Sequence, residues 1–263
     1  MPYAELLARQ GRADPKLLHP VMHRRPTAQR HLEYLKARDQ LVRTRTQLIN
    51  HVRSVVKVSG TRLRTSSAPA FVTRAATEIP AEVRGAAQPL VHIIADINRQ
   101  IRDADREINR LIHEVYPVAL RLQQIQGVGP LTALAIVLLV DDPARFDNSR
   151  DVGAYFGLVP RLDESSDSQP QLRITKCGDV LGRRLLVTAA HYILGPFGPP
   201  CDLRRHGEAI AERGGKNAKK RAVVAVARKL AVLLHRIWVS GRDYDPDYVL
   251  KQRSHTLGTP MPH

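Results

Sequence analysis

The sequence predicts a mainly α protein: a long antiparallel helical arm with coiled-coil patterning, then a second all-helical module containing a helix-hairpin-helix. Three observations predict it. Apolar residues step by four and three from Leu90 to Val115, the spacing of a helix seam. An apolar stretch from Leu131 to Val140 follows a Gly-x-Gly-Pro turn. A further apolar helix face, Val223 to Leu234, follows Gly214-Gly215.

Residues 1–26 read as a short helix plus loop: Ala4 to Gln10 is closed by Gly11, and Asp14-Pro15 and His19-Pro20 keep the chain beyond it from continuing the helix. The arm occupies 27–117. In its first helix Leu41/Val42, Leu48/Ile49 and Val55/Val56 recur every seven residues, and Gly60 closes it. Residues 61–89, rich in Ser, Thr, Ala and Pro, read as a connecting loop with a short helix. The second arm helix carries the seam Leu90, Ile94, Ile97, Ile101, Ala104, Ile108, Leu111 and Val115, with Arg99, Arg102, Arg106 and Arg110 on its wet faces. Pairing within one chain and pairing between two chains both satisfy that seam. Tyr116-Pro117 ends the arm, 118–241 forms the second module, and 242–263, with Pro246, Pro260 and Pro262, is expected to be a flexible tail.

Composition narrows the function. Of 263 residues, 41 are Lys or Arg and 25 Asp or Glu, a formal charge of +16. That surplus favours a polyanion, because each neutralised phosphate releases counterions. Aromatics are only 5%, which argues against a base-stacking platform and for duplex or structured nucleic acid. Cys177 and Cys201 form no C-x-x-C pair, so no cysteine zinc site or disulfide framework is expected. The longest apolar stretch is about half the roughly 20 residues that span a bilayer. The first residues, MPYAELLARQGR, hold no apolar signal core. No membrane partner and a cytoplasmic location are expected.

Four segments carry candidate chemistry. IQGVGPLTA (125–133) fits the h-x-G-h-G hairpin pattern, in which Gly127 and Gly129 permit a tight turn and the next helix start offers backbone N–H groups to phosphate. A plain αα-hairpin fits the same residues. The polar loop RLDESSDSQPQLRITK (161–176) holds Ser165, Ser166 and Ser168, with Arg173 and Lys176 placed to clamp phosphate. A serine there needs a base or electrostatic activation to act as a nucleophile. His191 lies within a helical pattern and reads as a packing residue. Residues 204–236 hold ten Lys and Arg against Glu208 and Glu212, half of the chain's surplus. Here Lys216, Lys219, Lys220 and Arg221 gather at a helix start behind two glycines, a phosphate contact or a solvated helix face.

The strings IQGVGPLTALAIVLLVDDPARFDNSRDVGAYFGLVPR, QLRITKCGD, LLVTAAHYILGPFG and RGGKNAKKRAVVAVARKLAVLLHRIW resemble the C-terminal half of the insertion-sequence 110/116/902 transposases. KARDQLVRTRTQLINHVR (36–53) is similar to that family's coiled-coil region, and the likeness runs over roughly residues 3–240. The resemblance implies a modular enzyme: an RNase H-like nuclease domain with an acidic DEDD set for Mg²⁺, a coiled coil, and a transposase domain that supplies a serine nucleophile for strand exchange. It also implies a structured guide RNA, DNA as partner, and a homo-oligomer formed through the arm. By alignment the nucleophile is Ser165, with Ser166 the runner-up. Tyr3 falls where the last acidic residue of the nuclease domain stands, so 1–26 is read as the remnant of that domain's end. Mg²⁺ would then belong to the complete family enzyme, with no cofactor bound by this chain. Three functions fit the sequence: an RNA-guided transposase, truncated here; a non-catalytic nucleic-acid-binding remnant of one; and an unrelated helix-hairpin-helix repair protein.

Overall fold

The computed structural model describes residues 3–14, 22–161 and 172–257. Its helices are α1 (Tyr3–Ala13), α2 (Pro26–Val58), α3 (Phe71–Glu78), α4 (Ala81–Glu114), α5 (Val118–Leu122), α6 (Pro130–Val140), α7 (Asp151–Tyr155), α8 (Val180–Leu194), α9 (Asp202–Glu212), α10 (Ala218–Ser240) and α11 (Tyr248–Leu257). A single 3₁₀ turn among the described residues lies at Pro143–Arg145. The protein is mainly α, as the periodicity predicts.

Helices α2 and α4 lie side by side and antiparallel. His31 Nδ1 meets the Tyr116 hydroxyl at 2.9 Å, Arg38 donates to Asp105 at 2.8 Å, and Arg45 donates to Asn98 at 3.0 Å, so the numbering rises along one helix as it falls along the other. On α4 the seam residues Ile94, Ile97, Ile101, Ala104, Ile108 and Leu111 are buried, while Val115, the helix C-cap, is exposed. Two apolar clusters result. Ala28, Leu32 and Leu35 meet Ile108, Leu111 and Ile112 at the base of the pair, and Ile49, Val52 and Val56 meet Phe71, Ala75, Ile79, Ala87 and Val91 at its far end. Between the clusters lies a polar belt, where burial pushes the Arg45 guanidinium below its ordinary value. Polar contacts in a seam are a known means of setting register.

The connection differs from the expected loop. Helix α4 starts at Ala81 and runs through Pro89. The carbonyl that a proline ring displaces belongs to the residue four places earlier, here Gly85. Composition made 61–89 read as a loop with a short helix, and α3 is such a helix, but Ala87 and Val91 bury with Phe71, Ala75 and Ile79 against α2 and carry α4 back to Ala81.

The second module is built around α6, whose residues Thr132 to Val140 are all buried. A helix that is apolar all round belongs in a core, and α2, α4, α5 and α8 cover this one. Arg25 fastens α2 to its end. The Asp141 carboxylate accepts from the Arg25 backbone N–H at 2.7 Å and from Nε at 2.9 Å, and the Asp141 carbonyl accepts a third bond. Arg24 adds bonds to the Leu139 carbonyl and the Tyr155 hydroxyl. The arm base and the module therefore share one core.

Residues 242–257 are held by contacts where a flexible tail was expected for 242–263; residues 258–263, with Pro260 and Pro262, lie outside the described residues. Asp202 N–H donates to the Pro246 carbonyl, Arg205 pairs with both Asp202 and Asp247, and the Tyr244 N–H donates to Gln124. Helix α11 comes next. Local composition cannot register anchors that come from α9 and the α5–α6 turn.

Candidate nucleic-acid interface

Two pieces of local structure set the site. The first is the stem around the serine loop. Arg161 N–H donates to the Arg173 carbonyl, Thr175 N–H to that of Val159, and Lys176 N–H to that of Gly157, which pairs 157–161 with 173–176. Gly157 and Gly178 have φ of +65° and +80°, and a Cβ at either would lie 2.2 Å or 2.0 Å from a backbone oxygen across the stem. Only glycine fits there. The second piece is the turn before α10. Gly214, Gly215 and Asn217 have positive φ, and Arg221 locks the turn by donating to the Lys216 and Gly214 carbonyls.

Between stem, turn and the outer faces of α9 and α10 runs a groove of about 1800 Å³. Arg150, Arg173 and Lys176 line one wall, Arg213, Lys216, Lys220, Arg221, Arg228, Lys229 and Arg236 the other, and Arg242 stands at one end. Apart from Arg221, none of these side chains has an ion pair or a hydrogen-bond partner among the described residues. Several cations elsewhere are matched: Arg99 with Asp96, Arg106 with Asp103, Arg184 with Asp39. The groove carboxylates are already committed, Asp202 to Arg205, Asp245 to Lys251 and Asp243 to Gln124. His206, half-buried, is held below the ordinary histidine value by burial and then by Lys229 and Arg213. The groove's field is strongly positive.

Size and spacing restrict the ligand. Lys220, Arg228 and Arg236 follow one another along α10 at intervals of eight residues, about 12 Å each at 1.5 Å per residue and about 80° further round the helix. The row is too long for a single small anion, and the groove exceeds the roughly 300–1000 Å³ of small-molecule pockets. Tyr244 and Tyr248 at one end are the only Phe, Trp or Tyr among the described lining residues. Such a surface suits a sugar-phosphate backbone better than stacked bases.

Of the sequence-predicted residues, Arg173, Lys176, Lys216, Lys220 and Arg221 come together here. Lys219 is exposed but is not among the lining residues. Gly127 and Gly129 are also apart from it. Gly127 has φ +94° and a Cβ there would press on Tyr192, Ala189 and Ile193, whereas Gly129 has φ −82° and open space around it. Gly127 is thus required for packing against α8, and Gly129 has no need of positive φ. Ser165 and Ser166 lie outside the described residues; the stem that brackets them opens on the groove through Pro160 and Leu172. Arg150, His206 and Arg242 escaped the sequence reading, because isolated polar residues carry no periodic or motif signal.

No described group of three or more His, Cys, Asp or Glu is placed to hold a metal ion. The groove carboxylates, each already engaged, do not fit a Mg²⁺ site. Among the described residues no helix is long and apolar enough to cross a membrane.

Residues 119–200, which span α5 to α8 and one groove wall, match the transposase IS116/IS110/IS902 family. The chain is 32% identical over 207 residues to the transposase for insertion sequence element IS1111A of Coxiella burnetii, covering 76% of this chain and 56% of that protein. It is 30% identical over 215 residues to a putative transposase, y4pF/y4sB, of Sinorhizobium fredii, covering 79% and 54%. A probable family 20 transposase of Pseudomonas aeruginosa is 26% identical over 206 residues, covering 76% and 60%. The chain thus spans between half and three-fifths of each of these relatives. Residues 119–200 thus belong to the IS116/IS110/IS902 family of insertion-sequence transposases, and the chain is similar to such transposases over three quarters of its length.

Proposed function

We propose that the chain binds DNA along the basic groove, as the nucleic-acid-holding part of a transposase that exchanges strands through Ser165. The observation that carries the binding is the set of cations on α10, on the 213–216 turn before it and on the 173–176 stem that lack partners among the described residues. Charges left unneutralised inside the protein are available to phosphates, and the released counterions drive association. Ser165, with Ser166 as runner-up, enters from the family resemblance, and the stem supports it by bringing both ends of that loop to the groove. A structured guide RNA belongs to the same proposal, because a backbone-reading groove accepts either polynucleotide. Self-association belongs to it through other faces of the arm, since the α4 seam is used against α2.

Fluorescence anisotropy of labelled duplex DNA between 50 and 200 mM salt tests the binding. A log–log slope of about −4 or steeper is expected for at least four or five phosphate contacts, and a flat titration would overturn the reading. Incubation with element-end DNA, the element's flanking RNA and Mg²⁺ tests the chemistry. A denaturant-resistant adduct lost in Ser165→Ala supports the nucleophile. Salt-sensitive binding with no adduct favours the alternative of a purely nucleic-acid-binding chain.

A further inference from the structure

The loop between α6 and α7 sets the Ser149 hydroxyl against the His235 imidazole of α10, beside a recess that Arg150 and Arg236 also line. His235 on α10 is buried. Its Nε2 lies 2.9 Å from the Pro143 carbonyl oxygen and its Nδ1 2.9 Å from Ser149 Oγ. A carbonyl only accepts, so Nε2 carries the ring proton, and Nδ1 of the neutral ring accepts the Ser149 hydroxyl proton. The Phe146 ring stands edge-on to the imidazole and closes its other side. The base thus has a fixed tautomer and a fixed plane.

Helix initiation makes no use of the Ser149 hydroxyl. The Arg150 N–H at the start of α7 is served by the Asn148 side chain at 3.0 Å. Ser149 also lines the groove, and with Asn148, Arg150, Val232 and Arg236 it walls a side recess of about 490 Å³. Because its proton is directed to His235, the oxygen turns lone pairs toward that recess, and a phosphoryl group there would meet an electron-pair donor. A hydroxyl bonded to a base that a third group orients is the arrangement of an activated nucleophile.

We propose that Ser149 and His235 form a second nucleophilic site on the groove wall, acting on a phosphate ester seated between Arg150 and Arg236. That substrate class rests on the groove's being a phosphate-backbone site; the activation of Ser149 does not. In the step, Ser149 Oγ bonds to phosphorus and the bond from phosphorus to the leaving sugar oxygen breaks. The hydroxyl proton passes to His235 Nδ1 and then to that oxygen. Nothing is oxidised or reduced, and the product is a phosphoserine ester. The phosphate's negative charge and the Pro143 carbonyl stabilise the transient imidazolium.

Diisopropyl fluorophosphate tests the site without nucleic acid: the same bond to phosphorus forms, and fluoride leaves. Peptide mapping of the whole chain is expected to find Ser149 modified well above other exposed serines. His235→Gln, whose amide can bond both Pro143 and Ser149, is expected to slow that modification about 100-fold, the scale of general-base catalysis. Modification of Ser149 no faster than background, or unchanged in His235→Gln, overturns the proposal. Should the variant lose its native circular dichroism, the pH profile of the unaltered protein decides. A rate that levels off once the imidazole is neutral supports the dyad, and a rate that climbs with hydroxide throughout overturns it. Absence of labelling alongside intact salt-dependent DNA binding would remove this site and leave the groove reading standing.

Discussion

Replacing Lys220, Arg228 and Arg236 together with Ala removes three groove cations of α10. None of the three has an ion-pair partner among the described residues, so the cost in stability stays within about 1 kcal/mol. Each lost contact to B-form DNA reduces the salt slope by about 0.9, so the triple variant is shallower by about 2.7. Between 50 and 200 mM salt one contact changes affinity about 3.5-fold, and three about 40-fold, so the parent protein should lose about 40-fold more affinity than the variant across that range. Lys219→Ala supplies the contrast, since Lys219 is adjacent in sequence, exposed and outside the lining. Arg221 is left alone because it holds the 214–217 turn. The assay is anisotropy of a labelled duplex, with thermal melting of each variant alongside. An unchanged slope in the triple variant, or an equal loss in Lys219→Ala, would refute the assignment of the groove.

The geometry sets three further outcomes. Gly127→Ala should destabilise by about 1–3 kcal/mol in urea unfolding, because positive φ is costly for a side chain and the space is filled by α8; Gly129→Ala should change stability by under about 0.5 kcal/mol. Asp141→Ala removes the acceptor that fixes Arg25 to the end of α6, and since the Arg25 side chain is 71% exposed the loss is expected at about 1–2 kcal/mol, read as a lower urea midpoint. The His206 ring in the free protein is held below its ordinary value by burial and by Lys229 and Arg213. A bound polyanion offsets those cations and raises it, so binding takes up a proton. Affinity should therefore rise as pH falls from about 7.5 to 5.5, across the histidine range, and His206→Gln should lose part of that rise. A pH profile identical in His206→Gln would place the ring outside the bound region.

The sequence by itself determined the class of the fold and the family. The four-three spacing of Ile94, Ile97, Ile101, Ala104, Ile108 and Leu111 is local and dictates a helix with a known buried face, and the apolar run of α6 is local too and dictates a helix buried all round. The strings around GLVPR and RGGKN carry the family likeness for the same reason. Tertiary structure decided where α4 begins, because burial of Val91 and Ala87 against α2 carries the helix through Pro89. It decided which glycine of 127–130 matters, since φ and the approach of α8 are set by packing. It decided that Lys220 faces the groove and Lys219 does not. It alone brought Arg150, Arg173, Arg213 and Arg236 to one groove, and Ser149 within 2.9 Å of His235. Periodicity reports which side of a helix turns inward. Which charges and hydroxyls then share one cleft depends on how α7, α9 and α10 pack, and that comes from contacts between residues far apart along the chain.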